Sequence, residues 1–110
     1  MHQSTRSALW IVAAALLGMG QAQAAGDPAA GKVKANTCMG CHGIKAYTNV
    51  YPTYHVPKLG GQSEAYIVSA LMAYKAGERN HPTMHAQAIS LSEQDMADIA
   101  AFLVSAPAAK

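Results

Sequence analysis

The stretch Cys38-Met39-Gly40-Cys41-His42 decides how the rest of the chain is read. Two thiols three residues apart, with an imidazole directly after the second, have the spacing that attaches haem c. Each cysteine can add to one haem vinyl group to form a thioether, and the short spacing matches the separation of those vinyls along one porphyrin edge. His42 then lies under the ring and can offer a nitrogen to iron from the proximal side. The chain has only two cysteines, and both are in this stretch.

Three other uses of the same residues compete with this one. A thioredoxin-type disulfide also uses two cysteines at this spacing, but it sits where a strand turns into a helix, and no strand pattern surrounds Cys38. A zinc site wants four ligands, and no second ligand pair follows at finger spacing. A structural disulfide across so tight a loop leaves His42 without a role. Haem c is the reading that uses all of Cys38, Cys41 and His42.

Composition bounds the remainder. The 110 residues allow one domain, and with 51% apolar and 13% charged residues the chain is not disordered by composition. Part of the apolar fraction is a leader: residues 1–8 carry Arg6 and no acid, Leu9 to Leu17 is apolar, and Ala22-Gln23-Ala24 is a small-x-small cleavage site. The apolar run is short against the roughly 20 residues that span a bilayer. We therefore expect a signal peptide over 1–24, cleaved after Ala24, and export to the periplasm, rather than a retained anchor or a permanent membrane span. A single haem c domain is expected over 25–110. That length is short for a self-sufficient core, and a covalently held macrocycle supplies an apolar body for helices to pack around. The chain without haem is expected to fold poorly.

Charge excludes another class. In 25–110, seven basic residues (Lys32, Lys34, Lys45, Lys58, Lys75, Arg79 and Lys110) face six acids (Asp27, Glu64, Glu78, Glu93, Asp95 and Asp98), so the two signs nearly cancel. That balance is not a nucleic-acid footprint, and docking to partners should depend only mildly on salt.

The first helix reads from Asp27 to about Asn36, with Asp27 as N-cap and Pro28 at the first helical position. Gly31 inside it is either a tolerated glycine or the place where another helix crosses closely. From Gly43 to Gln62 the periodicity disappears, and Pro52, Pro57, Gly60 and Gly61 break any helix. Tyr47, Tyr51 and Tyr54 supply rings for a loop wrapped on a haem edge, and their hydroxyls either reach a propionate or close the loop on itself. A metal-bound histidine usually donates its second ring nitrogen to a carbonyl or carboxylate, and a rigid turn at Pro57 offers such a carbonyl.

A second helix reads from Ser63 to about Ala76, with Ile67, Ala70, Leu71 and Tyr74 on one face and Gly77 as its stop. Met72 lies off that face and reads as packing. Residues 78–91 read as a loop that crosses the distal side of the haem. A methionine thioether is a usual second axial ligand, and Met84, just after Pro82, is the expected one. His81, His85 and His55 are alternatives, followed by Met72, Met96 or an open site. His81 and His85 otherwise read as exposed loop imidazoles. Arg79 either neutralises a propionate or is solvated. The last helix starts at Ser92, with Asp95 in the return position of a capping box and Leu91 stapling onto Met96. Met96, Ile99, Ala100 and Leu103 form its apolar stripe, and Pro107 stops it.

These segments together resemble the class I c-type cytochromes. The resemblance rests on the haem-binding pentapeptide, Pro57-Lys58-Leu59-Gly60-Gly61-Gln62, the helix from Tyr66 to Gly77 followed by Arg79, Met84, and Leu91-Ser92-Glu93-Gln94-Asp95 leading into Ala97 to Leu103. More narrowly, it is similar to the small bacterial single-haem members and to either half of the two-haem periplasmic cytochromes. It departs in a longer tyrosine-rich run before Pro57 and in the histidines that bracket Met84. The resemblance implies an all-α class I cytochrome c fold of three to four helices around one haem. It also implies thioethers at Cys38 and Cys41, axial ligands His42 and Met84, and a Pro57 carbonyl that accepts the His42 ring proton.

The function expected is one-electron transfer between redox protein partners, such as donor and acceptor cytochromes, an oxidase or a dehydrogenase, with no substrate chemistry of its own. The same haem would also serve an electron-entry subunit bound to a larger oxidoreductase, with the Tyr47 to Tyr54 loop as its interface. A third reading is a gas- or peroxide-reactive haem, which needs an open or labile sixth site, with His81 or His85 replacing the methionine at raised pH.

Overall fold

The computed structural model describes residues 25–106. The leader read over 1–24 and the stop at Pro107 lie outside the described residues.

Five helices and one small hairpin follow in order: α1 (Pro28–Lys34), α2 (Asn36–His42), β1 (Thr48–Asn49), β2 (Tyr54–His55), α3 (Glu64–Ala76), α4 (Pro82–Ala88) and α5 (Glu93–Ser105). The described residues are mainly helical, as expected, with more helical segments than the expected three to four. The extra segments have local causes. The first helix breaks at Ala35, whose ψ of 2° departs from the helix, and α2 then carries both cysteines and His42. Ala35 is fully buried, so the bend is packed under the core.

Residues 78–91 are not all loop. Pro82 opens α4 at its first position, where a proline loses no hydrogen bond, and His81 caps it. The tyrosine-rich run also contains a ladder, with Thr48 opposite His55 and Asn49 opposite Tyr54. Side chains close its turn: Asn49 Nδ2 donates to the Pro52 carbonyl at 2.8 Å and Thr53 Oγ1 to that of Val50 at 2.7 Å.

The two long helices begin and end for the expected reasons. Ser63 accepts from the Tyr66 N–H at 3.2 Å, and α3 ends on Gly77 in the left-handed region at φ 78°. Ser92 and Asp95 form a reciprocal capping box on α5. Ile67 and Leu71 of α3 pack on Met96, Ile99, Ala100 and Leu103 of α5, with Leu91 against the same cluster. Met72 is corrected: it is 44% exposed and packs on no core.

The two readings of Gly31 resolve into a close helix crossing. A Cβ there would run into the backbone carbonyl of Asp98 and lie 2.9 Å from the Phe102 Cβ. Beside the crossing, Asp98 is buried yet fully satisfied. It accepts from the Asp27 N–H at 2.8 Å, Gln94 Nε2 at 2.8 Å and Lys34 Nζ at 2.6 Å. The entry to α1 is thereby fixed to the middle of α5. No helix among the described residues is long and apolar enough to cross a membrane.

Candidate functional site

Between α2, the segment 54–62, α3, α4 and α5 lies a cavity of about 330 Å³. Its volume falls in the range of sites that enclose an organic ligand. Cys38, Cys41, His42, Pro57, Arg79 and Met84 all line it, as does Tyr54, whereas Tyr47 and Tyr51 do not. Ile67, Leu71, Ile99 and Leu103 supply apolar walls.

The proximal side is built by α2. One helical turn sets Cys38 and Cys41 on the cavity side, and His42, the last residue of the helix, follows directly. Its Nδ1 lies 2.7 Å from the Pro57 carbonyl. A carbonyl only accepts, so Nδ1 carries the hydrogen and Nε2 keeps its lone pair for a metal. Burial pushes the Cys38 thiol above its ordinary range, the opposite of the activated thiolate that a disulfide exchanger needs. Among the described residues, no group of three or more His, Cys, Asp or Glu side chains is arranged to hold a metal ion, so the donor set of a zinc site is missing.

The distal candidates separate by position. Met84 lines the cavity from α4. Met96 is 1% exposed and Met72 is on the outside, and neither borders the cavity. His81 and His55 border it, while His85 does not. Neither His81 nor His85 is the exposed loop imidazole expected of it. His81 Nδ1 accepts the Met84 N–H at 3.4 Å, and its ring stands edge-on to Tyr54 at 4.7 Å and to Tyr74 at 6.1 Å. His85 Nδ1 donates to the Tyr74 carbonyl at 2.8 Å, joining α4 to α3. His55 is tied to Thr48 Oγ1 at 2.9 Å. The Arg79 guanidinium lies 4.5 Å from the Tyr74 ring centre, a stacked rather than simply solvated cation at the cavity rim.

The tyrosines divide as well. Tyr54 faces inward, and its hydroxyl donates to Thr83 Oγ1 at 3.2 Å. Tyr51 is 92% exposed at the hairpin tip beside exposed Val50. The contact from Tyr54 to His81 and Thr83 was not legible in sequence, because it joins residues 27 and 29 positions apart with no motif to link them.

An apolar slot with two thiols on one edge, an imidazole nitrogen free on that side and a thioether in the wall fits a covalently attached haem. The class so defined is the small helical haem c proteins. The family profile described as Cytochrome c matches residues 28–107. Among curated relatives, cytochrome c4 of Pseudomonas aeruginosa is 43% identical over 86 residues, 78% of this chain and 41% of the relative. Cytochrome c-554(548) of Halomonas halodenitrificans is 44% identical over 84 residues, 74% of this chain and 98% of the relative. Cytochrome c-553 of Helicobacter pylori is 33% identical over 72 residues, 66% of this chain and 73% of the relative. The chain thus spans about two fifths of the cytochrome c4 of Pseudomonas aeruginosa but nearly all of cytochrome c-554(548). This chain belongs to the cytochrome c family, among the small class I c-type cytochromes, and its cofactor is covalently bound haem c.

Proposed function

We propose that the chain is a periplasmic single-haem electron carrier, not an enzyme, exported by a signal peptide over 1–24 that is cleaved after Ala24. The observation that carries this reading is the His42 ring, which donates through Nδ1 to Pro57 and keeps Nε2 free in a cavity walled by Met84. Haem c supplies a one-electron ferric/ferrous couple, and a methionine ligand in an apolar pocket favours the reduced state.

The residues act by holding still. Cys38 and Cys41 would form the thioethers and His42 would ligate the iron, and the Pro57 carbonyl fixes the His42 tautomer. Met84 would supply the thioether ligand, and Arg79, stacked on Tyr74, would neutralise a propionate. The apolar walls from Ile67, Leu71, Ile99 and Leu103 would exclude water from the bound haem. Met96 and Met72 are not ligands in this reading.

The test is the optical spectrum of the haem-loaded protein in both oxidation states, with carbon monoxide added to the reduced form. A low-spin haem c with the methionine-to-iron charge-transfer band, indifferent to carbon monoxide, is the expected result. A high-spin or carbon-monoxide-binding haem would overturn Met84 as ligand. N-terminal sequencing of the periplasmic protein tests the leader, and a first residue other than Ala25 would move its boundary.

The reading as an electron-entry subunit keeps one specific support, the exposed Tyr51 and Val50 at the hairpin tip. A carrier elutes as a free small protein at cellular salt, whereas a subunit co-elutes with its oxidoreductase.

A further inference from the structure

The tyrosine-rich hairpin and the start of α4 are far apart in sequence, yet they meet at the residue before Pro82. The His81 ring stands edge-on between two tyrosines, Tyr54 with an interplanar angle of 77° and Tyr74 with 80°. His81 also caps the helix that carries Met84, accepting the Met84 N–H through a long bond of 3.4 Å. Tyr54 adds a second link by donating to Thr83 Oγ1, the side chain directly before Met84. All of Tyr54, Tyr74, His81, Thr83 and Met84 border the cavity.

These contacts converge on one backbone segment. Seven residues are too few for α4 to be stable alone, so its position depends on what grips it. His85, the middle residue of α4, ties the helix to α3 through the Tyr74 carbonyl. The near end, where Met84 sits, is gripped by Tyr54 and His81. We propose that Tyr54 and His81 are positioning residues for Met84: the hairpin clamps the first turn of α4 and so sets how firmly the thioether is held at the distal side. The proposal rests on Met84 being the distal ligand.

Edge-on aromatic contacts and an N-cap each contribute modestly. Their loss should therefore leave haem attached and the protein folded, and should show in competition for the sixth site. Exogenous imidazole binding to the ferric holoprotein reads that competition directly, because imidazole must displace the methionine.

The expected result is that Tyr54→Ala and His81→Ala each bind imidazole about tenfold more tightly than wild type, with a weaker methionine-to-iron band. Tyr54→Phe, which keeps the ring and loses only the hydroxyl to Thr83, should shift affinity by about twofold. His81→Asn restores a good cap without the ring and should fall between His81→Ala and wild type. Met96→Ala, a change in the core cluster at a residue that does not border the cavity, controls for general loosening. Imidazole affinity that rises as much in Met96→Ala as in Tyr54→Ala would overturn the proposal, and so would unchanged affinity in both Tyr54→Ala and His81→Ala. A wild type that lacks the methionine band would remove the ligand assignment together with the clamp. A wild type with the band and insensitive variants would remove the clamp alone.

Discussion

Lys34 Nζ lies 2.6 Å from Asp98 Oδ2 and 2.7 Å from Asp95 Oδ1, so one cation on α1 is held by two carboxylates one turn apart on α5. The Asp98 side chain is only 5% exposed, and it also accepts the Asp27 N–H and the Gln94 amide. The pair therefore joins the N-terminal helix to the C-terminal one at the same crossing that Gly31 permits. A buried carboxylate so fully partnered is costly to leave with a partner missing, whatever the net worth of the pair.

Acid should loosen this crossing first. The Lys34 ammonium, then the Asp27 N–H and Gln94, lower the Asp98 carboxyl to about 2. Lys34, then the Ser92 cap, hold Asp95 well below the usual carboxylate range. Depressed carboxylates bind fewer protons folded than unfolded, so their contribution is complete above about pH 4 and is lost as pH falls toward 2. The same partners raise Lys34, whose contribution is present at neutral pH and is lost only above the usual lysine range. In Asp98→Asn the fall in thermal stability between pH 4 and pH 2 should be shallower than in wild type, from a lower neutral plateau. Parallel pH profiles for the two proteins would show that the ion pair does not carry the acid response.

Gly31→Ala should destabilise by about 3 kcal/mol, because the added methyl meets backbone that cannot turn aside. Denaturant unfolding of the haem-loaded protein measures it. A loss under about 0.5 kcal/mol would mean that the helices separate there at little cost.

Much of the site was legible because it is compact in sequence. Cys38, Cys41 and His42 fall within five positions of one short helix, and the caps at Asp27, Ser63 and Ser92 use side chains with one strong local preference. The long stripes on α3 and α5 repeat often enough for their period to be read. By contrast, α4 spans seven residues and each strand two, too short for any period, and α4 is capped by a histidine, which is not a usual capping residue. Besides Gln94, the partners of Asp98 lie 64 and 71 residues away, so its sequence position does not show the tie to α1. Met72 misleads because methionine within a helix is as compatible with surface as with core, and only the turn it occupies decides.

The three methionines of the described helices α3, α4 and α5 should behave differently when truncated. Met84→Ala should abolish the methionine-to-iron band and let the reduced protein bind carbon monoxide. Met96→Ala should cost about 3 kcal/mol by opening a cavity between α3 and α5, with the band retained. Met72→Ala, at an exposed position, should change stability by less than about 0.5 kcal/mol and leave the spectrum alone. Loss of the band in Met96→Ala with haem still attached would move the ligand assignment to α5.

Removing the haem should remove most of the fold. Met96 and Ile99 are the only large side chains among the described residues that are buried essentially completely, and the other walls of α3 and α5 face the cavity that the macrocycle fills. Without it, Ile67, Leu71 and Leu103 line an unfilled cavity, and empty apolar space costs the contacts its lining would otherwise make. The α1–α5 crossing has its own polar ties through Asp98 and should be the last part to open. In the double variant Cys38→Ala, Cys41→Ala, which cannot form thioethers, we expect haem-free protein with reduced helical signal, no cooperative thermal transition, and residual hydrogen-exchange protection confined to α1 and α5. A cooperative transition with protection across α3 and α4 would mean that the polypeptide closes its own core, and that the haem is added to a fold already complete.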